Sequence, residues 1–194
     1  MSWWRWCVFE DREFPTLLAA AKAGDDPAMG VLFRALHPRL VRFLRANEPR
    51  AADDLSGEVW MAVARGLATF EGDAAGFRAW VFSIARRRIA DHRRRGIRRD
   101  THPVDSATME RIAATDDPER AALGRVSGQD AAELVMAMLP EDQAEVILLR
   151  VLADLGVDEV AEVLGKSANW VRVTQHRALR KLADRLGPRF DVMR

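Results

Sequence analysis

The chain has one cysteine, Cys7, among its 194 residues. A single thiol excludes an internal disulfide and a cysteine cluster for zinc, and a reactive one would need an activating neighbour, so Cys7 is read as incidental. Long apolar runs are also missing, with none near the roughly 20 residues that cross a bilayer, so no membrane insertion is expected. The opening, MSWWRWCVFEDREF, carries an acidic pair where a signal peptide keeps its apolar centre, which makes a cytoplasmic protein the expectation. Histidines are scattered: His37, His92, His102 and His176 fall in separate segments and make no ligand cluster. No GxxxxGK phosphate loop occurs and no nucleophile stands out, so neither an enzyme nor a cofactor is expected. Alternating β-branched stretches between turn signals are absent as well. The expected fold class is all-α.

What is present is charge, sorted along the chain. Residues 77 to 99 hold nine arginines against Asp91 alone, and residues 100 to 145 hold eleven acids against three arginines. Residues 166 to 189 then return to seven basic side chains against Asp184. One basic run is commonly a solvated helix face. Two, in separate modules, fit two contacts with a polyanion, because neutralising phosphates releases counterions.

Helical spacing fills most of the rest. A first helix is expected from about Phe14 to Ala23, ending at Gly24, and a second opens at Asp26 and Pro27, with Pro38 bending or restarting it. Asp53 or Asp54 is expected to cap a third, with Leu55, Val59, Trp60, Val63 and Leu67 as its apolar positions. After the loop EGDAAG, a fourth carries Phe77, Trp80, Val81, Ile84, Ala85 and Ile89 on one face, which leaves its arginines on the other. Little apolar periodicity and several breakers mark a flexible linker before a second group of helices. The expected division is a helical bundle at 1–99 with an N-terminal extension, a linker at 100–128, and a second small domain at 129–194. Trp3, Trp4 and Trp6 in the extension have no assigned role.

The second domain carries the most specific pattern, VAEVLGKSANWVRVTQHRALRKL. A helix-turn-helix needs a small residue at the helix crossing, a turn residue that accepts positive φ, and an apolar anchor in the second helix; Ala161, Gly165 and Val171 have those types and spacing. Val171, Ala178, Leu179 and Leu182 are expected inside, with Arg172, Val173, His176 and Arg177 turned toward the major groove. Arginine reads guanine by two hydrogen bonds and valine meets the thymine methyl. Lys166, Arg180, Lys181 and Arg185 are available for phosphates. The alternative for the same anchors is a plain helical hairpin with a glycine turn, which leaves the basic second helix without a purpose.

In this order the segments resemble the extracytoplasmic-function sigma factors of bacterial RNA polymerase, over about residues 29–99 and 130–187. AADDLSGEVWMAVARGLATFEG is similar to the helix of sigma region 2 that docks on the polymerase, FRAWVFSIARRRIADHRRR to the promoter-melting helix after it, and LPEDQAEVILLRVLADLGVDEVAEVLGKSANWVRVTQHRAL to region 4. The resemblance implies that Asp54, Leu55, Glu58 and Val59 bind core RNA polymerase. It places Glu71, Gly72, Asp73 and Ala74 in the loop that captures a flipped base of the −10 element, and Arg86, Arg87, Arg93 and Arg94 on the opening −10 DNA. It assigns the −35 element to Lys166, Ser167, Asn169, Trp170, Arg172, Val173, His176 and Arg177. It also implies control by an anti-sigma factor, and a linker whose acids mimic nucleic acid inside the polymerase. The chain departs from the family pattern at Gly57, where glutamine is frequent, at Arg87, where asparagine is, and at Trp170, where a small residue or threonine is. Two other readings stay open: a stand-alone helix-turn-helix regulator, and a protein acting on RNA through the first basic helix.

Overall fold

The structure, a computed structural model, describes residues 12–100 and 128–186. The tryptophan-rich start, Cys7, and all of the expected linker but its two end residues lie outside the described residues, as does the segment after 186.

Eight α-helices and no strand occur among the described residues. Helix α1 (Phe14–Lys22) has Pro15 in its first turn, and the chain leaves it through Gly24 at φ +88°. Helix α2 (Asp26–Asn47) starts where the Asp25 carboxylate accepts the Ala28 N–H at 3.1 Å, which satisfies an amide that has no partner within the helix. Pro38 was expected to bend or restart this helix, but α2 runs through it as one element. Pro38 and Arg34, whose carbonyl loses its amide partner, are both exposed, so water can take that carbonyl.

Helix α3 (Ala52–Gly66) begins earlier than the acids that were expected to cap it. Ala51 is its cap residue, and Asp53 and Asp54 sit in the first turn, where the helix dipole still favours them. A single 3-10 turn (Leu67–Thr69) leads toward α4 (Ala74–Asp100). The second group comprises α5 (Gly128–Met138), α6 (Glu141–Val151), α7 (Val157–Leu164) and α8 (Ala168–Leu186).

Leu32, Leu36, Leu40, Phe43 and Leu44 of α2 meet Leu55, Val59 and Val63 of α3 and Phe77, Val81, Ala85 and Ile89 of α4 in a core closed to solvent. Its rings interlock: Phe82 meets Phe43 edge-on at 5.5 Å between centroids, and Phe70 stacks on Trp80 at 5.0 Å. The sequence predicted one buried face for α4. Ala79 and Phe82 are buried too, since α4 has α2 and α3 on one side and α7 on another. The same apolar cluster continues through Val146, Leu148 and Leu149 of α6 to Val160 of α7 and Val171 of α8, so the two helical groups share a core. Leu139, Ala144, Ile147 and Ala178 form a smaller cluster under α8.

Candidate nucleic-acid interface

Helices α7 and α8 make the helix-turn-helix. Ala161 is buried on α7, and Gly165 ends that helix in the left-handed conformation at φ +62°. The following Lys166 N–H returns to the Ala161 carbonyl at 2.9 Å, a glycine-terminated close that satisfies a helix-end carbonyl. At the next residue the Ser167 hydroxyl accepts the Trp170 N–H at 3.1 Å and starts α8. Ser167 thus combines a place in the expected −35 set with a capping role that the sequence reading missed; Ser at 167 just before a basic helical run was the available signal.

Val171 anchors α8 with no exposed surface, and Thr174 and Ala178 continue the buried stripe. Leu179, expected inside, is half exposed. Steps of three and four from Val171 to Thr174 and Ala178 set the stripe, and Leu179 falls beyond its edge. Lys166, Asn169, Arg172, Val173, His176 and Arg177 are all exposed, while Trp170 is half-buried with the Lys166 ammonium 5.7 Å from its ring centre. Arg150 steadies the unit from behind, bonding to the Gln175 side chain at 3.1 Å and to the Leu155 carbonyl.

In the loop before α4, Glu71, Gly72 and Asp73 are exposed. Gly72 adopts φ +155°, and a Cβ there would come within 2.9 Å of the Phe70 ring. Asp73 also supports the fold, since its carboxylate accepts the Gly76 N–H at 2.7 Å at the start of α4. Ala74 is a correction to the expected loop set, because it is the first residue of α4 and is 1% exposed, so its side chain cannot meet a base.

Further along α4, Arg86, Arg87, Arg93 and Arg94 line a cleft of about 730 Å³ whose other wall includes Glu141, Glu145 and Glu162. Arg86 donates to both carboxylate oxygens of Glu145, at 2.6 and 3.3 Å. Arg93 reaches Glu48 at 2.6 Å and the Asn47 carbonyl at 3.3 Å, and lies 3.7 Å from Glu141. Arg94 pairs with Asp91 one turn back at 3.2 Å. The arginines are therefore gathered along one cleft, where Arg86 is held by Glu145 of the second helical group and Arg93 by Glu48 of its own.

The expected polymerase contacts divide. Asp54 is exposed and Glu58 partly so, with Arg95 3.5 Å from its carboxylate. Leu55 and Val59 are a correction: at 1% and 0% exposure they belong to the core, and a partner resting on α3 cannot reach them. The solvent side of α3 instead presents Asp54, Gly57 and Met61 at helical spacing, with Met61 57% exposed. Met61 was the residue the sequence reading missed; the step of four from Gly57 pointed to it.

Comparison with known proteins assigns both halves. Residues 32–99 match Sigma-70 region 2 and residues 129–182 match Sigma-70 region 4. Two such regions, in this order and on two groups of helices ending in a helix-turn-helix, define the Sigma-70 class. The sigma factor ShbA of Streptomyces griseus is 36% identical over 179 residues, covering 86% of this chain and 91% of that protein. The sigma factor SigD of Mycobacterium tuberculosis is 32% identical over 185 residues, covering 92% of this chain and 86% of SigD. This chain belongs to the extracytoplasmic-function RNA polymerase sigma factors. In fold it is similar to the sigma factor RpoE of Bartonella quintana, solved in complex with the anti-sigma factor NepR, with a TM-score of 0.60 and 21% identity over 81% of this chain and 96% of that one.

Proposed function

We propose that this chain is a promoter-specificity subunit: it binds core RNA polymerase, reads the −10 and −35 elements of promoter DNA with two helical units, and holds the −10 strand as it opens. The observation that carries this reading is the pairing, on one sigma-family chain, of an exposed Arg172–Val173–His176–Arg177 face on α8 with the arginine-lined wall of α4. The first suits base edges in the major groove, and the second suits phosphates of an unpaired strand. The division we assign is region 2 at 1–99, a linker at 100–128 and region 4 at 129–194.

Asp54, Glu58 and the neighbouring Met61 form the polymerase-facing side of α3, an acidic and apolar mixture for a basic, partly apolar protein surface. Glu71, Gly72 and Asp73 form the base-capturing loop, with Asp73 also holding the start of α4. Lys166, Ser167, Asn169 and Trp170 place the beginning of α8 on the −35 backbone. The protein works by binding and performs no reaction of its own. It acts in the cytoplasm with the polymerase, and no helix among the described residues is long and apolar enough to cross a membrane. An anti-sigma factor controls it, as the complex of RpoE with NepR illustrates for a protein of similar fold.

Adding the purified chain to core polymerase on a library of genomic promoter fragments tests the reading. Discrete transcripts that require both the chain and an upstream element at the −35 position are expected. Transcription left unchanged, together with tight binding of the chain alone to an operator, would establish the stand-alone regulator instead. Preference of the chain for RNA over duplex DNA would favour the reading in which the first basic helix acts on RNA; the deep, narrow major groove of duplex RNA excludes a recognition helix such as α8.

A further inference from the structure

Three parts of the second helical group meet at one side chain, Arg150. It stands half-buried in the last turn of α6. Its Nη1 donates to the Leu155 carbonyl in the loop before α7, and its Nε donates to the Gln175 side-chain oxygen on α8 at 3.1 Å. The loop end of this tie is fixed independently. Leu155 has no exposed surface, its N–H donates to the Leu149 carbonyl at 3.1 Å, and the Ala153 N–H donates to the Leu148 carbonyl at 3.2 Å. A guanidinium presents its donors in one rigid plane, so holding it at the loop sets the direction in which it meets α8.

What that direction controls is the rotation of α8 about its own axis. Val171, Thr174 and Ala178 seat the helix through a strip of short side chains, and burial of such a strip is non-directional, so it opposes separation more than it opposes a roll. A hydrogen bond has a preferred direction, and the half-buried Gln175 supplies one beside the strip. On a helix of α dimensions a roll of about 10° moves the tip of a long side chain by about 1 Å or more, enough to spoil a two-bond match to a base edge. Gln175 follows Arg172 by three residues, which makes the two neighbours on the helix surface, and it directly precedes His176. Gln175 is not itself placed to read adenine, because that match needs both its amide oxygen and its NH2, and the oxygen is occupied by Arg150. We propose that Arg150, acting through Gln175, is a positioning residue for −35 recognition: it sets the angle at which α8 presents Arg172 and His176 to the major groove, and makes no base contact of its own. This rests on the reading of α8 as the −35 helix.

Transcription by core polymerase with the full chain is to be measured on a promoter that the wild type uses, with its −35 element intact or altered by single base-pair substitutions. Gln175→Ala cuts the bond to α8 and leaves Arg150 its bond to Leu155. It is expected to lower the preference for the intact element about tenfold, within the range that one two-bond arginine–base match supplies. Arg150→Met removes the tie from its other end and is expected to lower the preference in the same way. Gln175→Glu still accepts from Arg150 but cannot donate; it is expected to keep the preference while lowering transcription on all templates alike, since a carboxylate repels the duplex. Val146→Ala, a core change on α6 that leaves both partners of the tie in place, controls for lost stability and is expected to keep the preference. Unchanged preference in Gln175→Ala or in Arg150→Met overturns the proposal, and so does an equal loss in Val146→Ala. A loss in Gln175→Glu as large as in Gln175→Ala also overturns it, by making Gln175 a base reader. A wild-type chain that transcribes without regard to the −35 element removes the reading of α8 itself, and the positioning role with it.

Discussion

Helices α4 and α8 each combine a buried stripe with exposed arginines, yet they are held differently. Helix α8 lies at the margin of its unit, packs through Val171, Thr174 and Ala178, and leaves Arg172 and Arg177 to solvent. Helix α4 lies between α2, α3 and α7, buries more than one side, and has its arginines met by acids from both groups. A helix that reads duplex DNA must remain a protruding edge, whereas one that captures a strand can be kept covered until the strand exists. The difference between them lies in their neighbours more than in their own sequence.

The comparison breaks most severely at Phe82, the fully buried ring of α4 against Phe43. Phe82→Ala is expected to cost about 3–5 kcal/mol in urea unfolding, since a large core side chain is removed and the site collapses only partly. Next comes Arg172→Ala on α8, expected to leave the unfolding curve in place while weakening discrimination for the −35 element by ~1 to 3 kcal/mol, read from transcription on templates with and without that element. Equal losses on every template would show that Arg172 reads nothing. Ser167→Ala removes the cap of α8 and is expected to lower stability by about 1 kcal/mol in thermal unfolding, with Ser167→Gly costing less. The smallest effect is on α3, where Gly57 has no heavy atom within 4 Å of a would-be Cβ. Gly57→Ala is expected to stabilise the chain by up to about 1 kcal/mol, because alanine gives up less backbone freedom in a helix and meets no obstacle.

The elements were largely legible before the structure because each carries a local signal. Gly24 and Gly165 stop helices where left-handed backbone is needed, and the anchors Ala161 and Val171 are buried on α7 and α8 as their spacing predicted. The errors arise where two demands meet in one segment. Leu55 and Val59 are apolar at core spacing and also lie in a segment that resembles a docking helix; burial decides for the core. Ala74 resembles a loop residue, but the Asp73 cap brings α4 up to it. Leu179 matched an apolar helix position, yet the stripe that α8 buries runs from Val171 through Thr174 to Ala178 and leaves Leu179 beyond its edge. Least legible was the contact of Arg86 with Glu145, 59 residues apart. The charge blocks announced that opposite signs were present, but which arginine meets which acid depends on how α6 and α7 pack on α4.

In the proposed function, α4 holds an opened strand after α8 has placed the protein on duplex DNA. Permanganate reactivity of thymines across the −10 element, measured with core polymerase, tests it most directly when wild type is set beside the paired change Arg86→Gln and Arg93→Gln. Reactive −10 thymines are expected with wild type and their loss with the variant, while protection of the −35 duplex persists. Thymines that react equally with both would contradict it.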